Sequence, residues 1–552
     1  MSFDSAPLPR ARRGRFHKAP AASAAGFAFV LGAACASPLV KPDAFDRQVL
    51  QEEPLPSTHL HPALDGAELV VEESADWMRL WPDRLTFVGY RTGSNERIYC
   101  LVLECLPEED RLTLLPLAEG ETSLSVLAMP ERRAELTEAV KRYAQDRAMP
   151  EGVELISVAL RDAVADRRLG PPIPDPRRVF AVAANYPSHL VHDLETKPEN
   201  VEKIARTPPR LFLKHPPQPP PGTELPSDLP FHGVIGPFDP IVYPELTWLP
   251  KDESGVSNSV PTALDYEVEL GCVIARTLTW EDVRDATDEE LFAAIAGYVL
   301  VSDVKARNPQ VYERALARNE SSDQWARPYL TGNADIDLIL GNWTPDSVAW
   351  WGYASSLGDF TAVGPYFVAS DGEPAMPSHA LLCARSYGAG ESRQHPIPGE
   401  REAGHFYLRQ CSRATEDPDA ADRMLWRIPQ IVRAALDPAG ALAPTHDAAK
   451  LQAGDVIALG TPGGITLTVR HRSLLRFLGH VLFWWDARDW HDAFFRKDIA
   501  NYLYDGDALF LWGEGLGCQR LAVRRIVWPP PPGVVPEPGD PGAPESTDAP
   551  AD

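Results

Sequence analysis

The segment Leu264-Asp265-Tyr266-Glu267-Val268-Glu269-Leu270-Gly271-Cys272-Val273-Ile274 constrains the fold more than any other part of the chain. Side chains alternate faces along a strand, so Tyr266, Val268, Leu270, Cys272 and Ile274 line one face while Asp265, Glu267 and Glu269 share the other. Three carboxylates within about two pleats repel one another and raise each other's pKa unless a cation compensates them. Hard oxygen donors in such a row suit Mg²⁺, Mn²⁺ or Ca²⁺. The alternative is a half-exposed strand with a solvated acidic face, which is ordinary in antiparallel sheets. A second strand narrows the choice: in Ala296-Gly297-Tyr298-Val299-Leu300-Val301-Ser302-Asp303-Val304 an apolar run ends on one acid. An acid there is costly unless it is paired, bound to metal or used as a cap.

With 552 residues, the chain exceeds the roughly 100–200 of one domain, so a core domain with a second domain or long insertions is expected. Hydrophobic residues at 44% and charged residues at 24% fit a folded protein and exclude a wholly disordered one. The net charge of -25, from 78 acidic against 53 basic residues, repels phosphate backbones and argues against nucleic acid as a partner. The seven cysteines show no paired CxxC spacing, so no zinc site is indicated and buried free thiols are expected.

Four sections emerge. Residues 1–40 form a leader, disordered or an export signal: Arg10, Arg12, Arg13 and Arg15 precede a short apolar run and the cleavage-like Ala34-Cys35-Ala36. A cytoplasmic location is expected, with export as the alternative. Residues 41–170 mix alternating runs at 68–71 and 98–103 with a helix near 131–148, as in a small α+β domain suited to scaffolding or dimerisation. A proline-rich connector leads into a β-rich main domain over 175–528, with strand-like runs at 178–183, 210–214, 241–243, 266–275, 296–304, 366–369, 456–459, 466–469 and 509–511. Residues 529–552 are a proline-rich tail with too few large apolar groups to order. No run reaches the ~18 apolar residues of a membrane span.

Five motifs occur in one order: Asn185-Tyr186-Pro187-Ser188-His189, Leu211-Phe212-Leu213-Lys214, Glu267-Val268-Glu269, Gly297-Tyr298 with Asp303-Val304-Lys305-Ala306-Arg307, and Gly454-Asp455-Val456-Ile457-Ala458-Leu459-Gly460-Thr461-Pro462-Gly463-Gly464. Each is weak alone. Together, over roughly 175–520, the chain resembles the fumarylacetoacetate hydrolase family as an atypical long member with insertions. The resemblance implies an α+β, β-rich fold, a mixed β-sandwich roll, with the N-terminal domain added. It also implies a divalent ion, Mg²⁺ first and Mn²⁺ or Ca²⁺ as alternatives, held by Glu267, Glu269 and Asp303. A small keto- or enol-acid substrate and a homodimer are implied as well.

The family's lid histidine matches His189. Its glutamate three residues on does not: position 192 is His192, the nearest acids are Asp193 and Glu195, and Glu195 stands three residues after His192. The resemblance therefore assigns catalysis to His189, Glu195, Lys214 and Arg307, and substrate binding to Tyr186, Arg307, Gln310 and Thr461. Family members place a lysine ahead of the Gly-Pro at 364–365, and none is present here between 353 and 365. Lys305 offers a charge nearby only if its strand continues far enough to put 303 and 305 on one face.

Insertions are expected at about 311–352, 371–405 and 470–500. The last carries an apolar stripe flanked by Arg470, His471 and Arg472, which suits a core or dimer interface better than a membrane surface. Function then lies between a metal-dependent hydrolase or lyase and a catalytically degenerate binding or assembly protein.

Overall fold

The computed structural model describes residues 78–81, 84–93, 96–147, 149, 152–174, 178–193, 196–215, 233–244, 264–307, 355, 359–370, 380–387, 406–414, 416, 422–438, 450–465 and 502–526. Among them the strands run, in chain order, β1 (Thr86–Arg91), β2 (Arg97–Leu106), β3 (Arg111–Pro116), β4 (Ile156–Ala159), β5 (Leu169–Gly170), β6 (Val179–Val182), β7 (Leu211–His215), β8 (Val234–Ile235), β9 (Ile241–Pro244), β10 (Leu264–Ile274), β11 (Leu278–Thr279), β12 (Ile295–Ala306), β13 (Thr361–Ala369), β14 (Ala380–Tyr387), β15 (Phe406–Ala414), β16 (Lys450–Leu451), β17 (Val456–Ala458), β18 (Ala508–Gly513) and β19 (Gly517–Ile526). The expected runs at 68–71 and 466–469, and the insertions at 311–352 and 470–500, lie outside the described residues.

A twelve-stranded sheet orders its main path β4-β3-β2-β1-β13-β12-β10-β17-β6-β7. A five-stranded sheet, β15-β14-β18-β19-β9, packs beside it. The fold is thus α+β and rich in strand, as expected. At the centre of the large sheet β10 and β12 pair antiparallel from Leu264↔Ala306 to Ile274↔Ile295, and every position on both strands is buried. Covered on both faces, their Val, Leu, Ile and Tyr side chains each contribute about 1.5–3 kcal/mol of burial. The half-exposed reading of the acidic strand is therefore corrected: β10 is central, and Asp265, Glu267 and Glu269 are 0%, 4% and 1% exposed.

The 41–170 segment reaches this core through its strands. β1 pairs with β13, Phe87 opposite Phe367, and their rings lie 6.1 Å apart. β5 closes on β1 in turn, so segments on both sides of the proline-rich connector share one sheet. The helix expected near 131–148 runs Pro130–Asp146, begins on a proline that needs no N–H partner and ends where Arg147 turns left-handed.

Lys214 on β7 donates to Asp303 on β12, although four strand steps separate the two, about 19 Å if the sheet were flat. A lysine side chain cannot span that distance, so the sheet must roll until its far strand faces its centre. Gln519 of β19 donates to the carbonyls of Leu300 and Gly364 at 3.0 and 2.9 Å, fastening the smaller sheet to the larger.

Two expectations change. Part of the supposed insertion at 371–405 is β14, which lies between β15 and β18 inside the second sheet. Cys100, Cys105, Cys272 and Cys518 are buried free thiols as expected, but Cys383 is disulfide-bonded. Among the described residues no helix is long and apolar enough to cross a membrane.

Candidate metal and substrate site

Register builds the site. Pairing of β10 with β12 places Glu267 directly opposite Asp303 and Asp265 opposite Lys305. Because β12 continues to Ala306, residues 303 and 305 do share a face, and two rows oppose each other: Asp265, Glu267 and Glu269 against Asp303, Lys305 and Arg307. Glu267, Glu269 and Asp303 each offer one oxygen, and those three oxygens lie within 4.8 Å of one another.

Protein cations are interleaved with them. Lys305 Nζ donates to Glu267 Oε2 at 2.6 Å and stands 2.9 Å from Asp303 Oδ2. Arg307 donates through Nη2 to Glu267 Oε1 at 2.6 Å and through Nε to Asp265 Oδ2 at 2.8 Å. Lys214 Nζ donates to Asp303 Oδ1 at 2.5 Å and to the carbonyl of Phe360 at 3.3 Å. Burial pushes Lys214 below its usual pKa, with Asp303 opposing the shift. Burial also works against ionised Glu267, but Lys305 and Arg307 outweigh it and hold that carboxyl below its ordinary value.

For Glu269 the balance tips the other way. Burial and the Asp303 charge push it well above its ordinary value of 4.5, and the Lys305 charge and the Gly460 N–H, donating to Oε2 at 2.8 Å, compensate only in part. A carboxyl raised on folding stabilises fully below its unfolded value, and loses that contribution as pH rises through its folded value. The denaturation midpoint of the protein in EDTA should therefore fall as pH rises above the ordinary carboxyl value of 4.5, and Glu269→Gln should flatten that slope. An unchanged slope in the glutamine variant would assign the effect elsewhere.

The Gly460–Gly464 turn links this cluster to the histidine. Gly460, at φ +91°, has no room for a side chain: a Cβ would lie 2.7 Å from that of Asn185. Gly463 N–H donates to Ser188 Oγ, and Gly464 N–H to the Asp193 carboxylate. Asp193 in turn holds His189 Nδ1 at 2.8 Å across the helical turn His189–Asp193. His189 is one of the groups whose positive charge would hold Glu267 ionised.

The partner of His189 is thus Asp193, four residues on and one of the two nearest acids. Glu195 and Gln310 lie outside the described residues. Tyr186 is fully buried and its hydroxyl has no hydrogen-bond partner among the described residues. Thr461 Oγ1 accepts from Gln410 Nε2 at 3.0 Å. Arg307, expected to meet a substrate carboxylate, is engaged first by Asp265 and Glu267. Asn185 is a strut, bridging the carbonyl of Leu459 and the N–H of Trp426.

Several site residues carry no sequence signal. Gln410 of the second sheet accepts from Val268 N–H and donates to Thr461, joining β10 to the glycine turn. Asp422 holds Ser188 through both N–H and hydroxyl at 2.8 and 2.6 Å. Both act across more than a hundred residues of chain. Asp193 did carry a signal, since helical spacing puts i and i+4 on one face.

The donors fit a divalent ion. Their oxygens are hard, mutually close and buried. Asp303 Oδ2, despite the nearby Lys305 charge, receives no well-directed hydrogen bond. Glu267, Glu269 and Asp303 therefore suit a divalent cation as ligands.

An α+β sheet-rich domain with a buried carboxylate cluster beside a His–Asp pair defines the class of this protein. Residues 178–329 match the family model for the fumarylacetoacetate (FAA) hydrolase C-terminal region. Over those residues the chain is similar to the fumarylacetoacetate hydrolase family. A curated relative, 2,4-didehydro-3-deoxy-L-rhamnonate hydrolase of a Sphingomonas species, is 27% identical over 203 residues, covering 36% of this chain and 52% of the relative. The match thus spans about half of that relative's length. Similar solved structures include a fumarylacetoacetate hydrolase from Exiguobacterium antarcticum, with 18% identity, TM-score 0.41, and coverage of 80% of this chain and 100% of that one. Another is a Sphingobium maleylpyruvate hydrolase in complex with manganese(II) and pyruvate, with 14% identity, TM-score 0.38, and coverage of 80% and 99%.

Proposed function

We propose that this chain is a divalent-metal hydrolase or lyase acting on a small keto or enol acid, with Mg²⁺ the first candidate ion. The observation that carries this reading is the convergence of three buried carboxylates from paired strands beside a fixed His–Asp pair. When bound, the ion supplies Lewis-acid stabilisation of negative charge on the substrate's oxygens.

The chain's own groups supply the rest. Asp193, held by the turn at Gly464, fixes His189 through Nδ1 and leaves Nε2 as the atom that takes or returns a proton. Lys214 holds Asp303 in place and Arg307 holds Glu267. The partnerless hydroxyl of Tyr186 is free to meet a substrate oxygen. C–C hydrolysis, decarboxylation, hydration and isomerisation of such acids all develop enolate charge, so one site serves any of them. The named curated relative adds a didehydro-deoxy sugar acid to the substrates worth testing.

The test compares wild type with Glu267→Ala on acylpyruvates, oxaloacetate and 2,4-didehydro-3-deoxy-L-rhamnonate, with and without Mg²⁺ or Mn²⁺. Metal-dependent turnover is expected to fall by about 10³ or more in the variant. Equal rates in the two proteins would refute the reading.

A second reading, a degenerate member that binds without turnover, has one specific observation behind it: Lys305 and Arg307 already neutralise Glu267, while no lysine stands between 353 and 365. Metal binding by wild type with no turnover on the whole panel would establish it. Light scattering tests the proposed homodimer.

A further inference from the structure

Four carboxylates, Asp265, Glu267, Glu269 and Asp303, face three cations, Lys214, Lys305 and Arg307. The cations are not equivalent. Lys214 approaches Asp303 from β7, and Arg307 lies at the Asp265 end of the rows. Lys305 alone bridges two of the three convergent carboxylates, at 2.6 Å from Glu267 and 2.9 Å from Asp303. Its ammonium also lies 5.3 Å from the centre of the Phe212 ring, a cation–π contact that favours this buried position.

We propose that Lys305 is a tethered counter-ion of the Glu267–Asp303 pair, which holds the cluster together without metal and competes with a divalent cation for the same carboxylates. Competition follows from distance. An ion bound to oxygens of Glu267 and Asp303 would crowd an ammonium already in contact with both residues, so the lysine has to swing away on its flexible stem. Loading the site then becomes an exchange of one cation for another, and affinity is lower than three buried carboxylates alone would give. The competition rests on the metal-binding reading above; the counter-ion role in metal-free protein does not.

The test uses full-length protein, Mn²⁺ as probe and electron paramagnetic resonance to count free ion. Lys305→Met keeps the stem over Phe212 and removes the charge. It should bind Mn²⁺ more tightly than wild type, on the order of tenfold or more. In EDTA the same variant should melt below wild type, and Lys305→Met with Glu267→Gln should recover part of the loss. Lys305→Gln replaces it should the methionine variant fail to fold. Mn²⁺ bound by wild type but no tighter in the variant overturns the competition and leaves the metal reading standing. Absence of Mn²⁺ binding in both proteins overturns the competition and the metal reading together. A metal-free variant as stable as wild type overturns the counter-ion role.

Discussion

Asp303→Ala is expected to lower the unfolding free energy by about 3–5 kcal/mol, the cost of leaving a buried charge without its partner. Lys214 and Asp303 are both fully buried and in direct contact. In the variant, the ammonium would keep only the carbonyl of Phe360 at 3.3 Å. Its alternative is to lose its proton, which burial already favours. The pair buys little net stability while intact, because desolvating two ions offsets most of their attraction. Asp303→Leu combined with Lys214→Met should therefore recover most of the loss in denaturant titrations. A single variant within about 1 kcal/mol of wild type would mean that water reaches Lys214.

Asp193→Asn is expected to lower kcat/KM by about 10²–10⁴ while leaving the melting temperature nearly unchanged. The amide oxygen of asparagine keeps a hydrogen-bond acceptor for the Gly464 N–H, so the turn stays docked. What it loses is the negative charge that stabilises a protonated imidazole at His189. Steady-state kinetics on whichever substrate supports turnover would show the effect mainly in kcat and in the acid limb of the pH profile. A loss confined to KM would assign Asp193 to substrate binding instead.

Much of the fold was legible because it rests on local periodicity. The period-two pattern of 264–274 fixed both the strand and the row of acids. The runs at 210–214, 241–243 and 456–459 likewise reappear as β7, β9 and β17 within a residue or two. The helix at 131–148 was readable for the same reason, with proline at its start. Alternation also tied 303 to 305, once the strand was long enough.

Partners across strands were not legible, since no local rule says which residue faces which. That Glu267 opposes Asp303 is a matter of register between distant strands. So is the burial of the acidic face, because a solvated edge strand and a central one share the same alternation. Gln410 and Asp422 reach the site from 142 and 234 residues away and look like ordinary polar residues in the sequence. The sequence by itself determined which carboxylates stand in a row and that they need a compensating charge. Only the tertiary structure decided what supplies it, by rolling β7 over β12 and setting two lysines and an arginine among the acids, because ion pairing depends on distance in space and not along the chain.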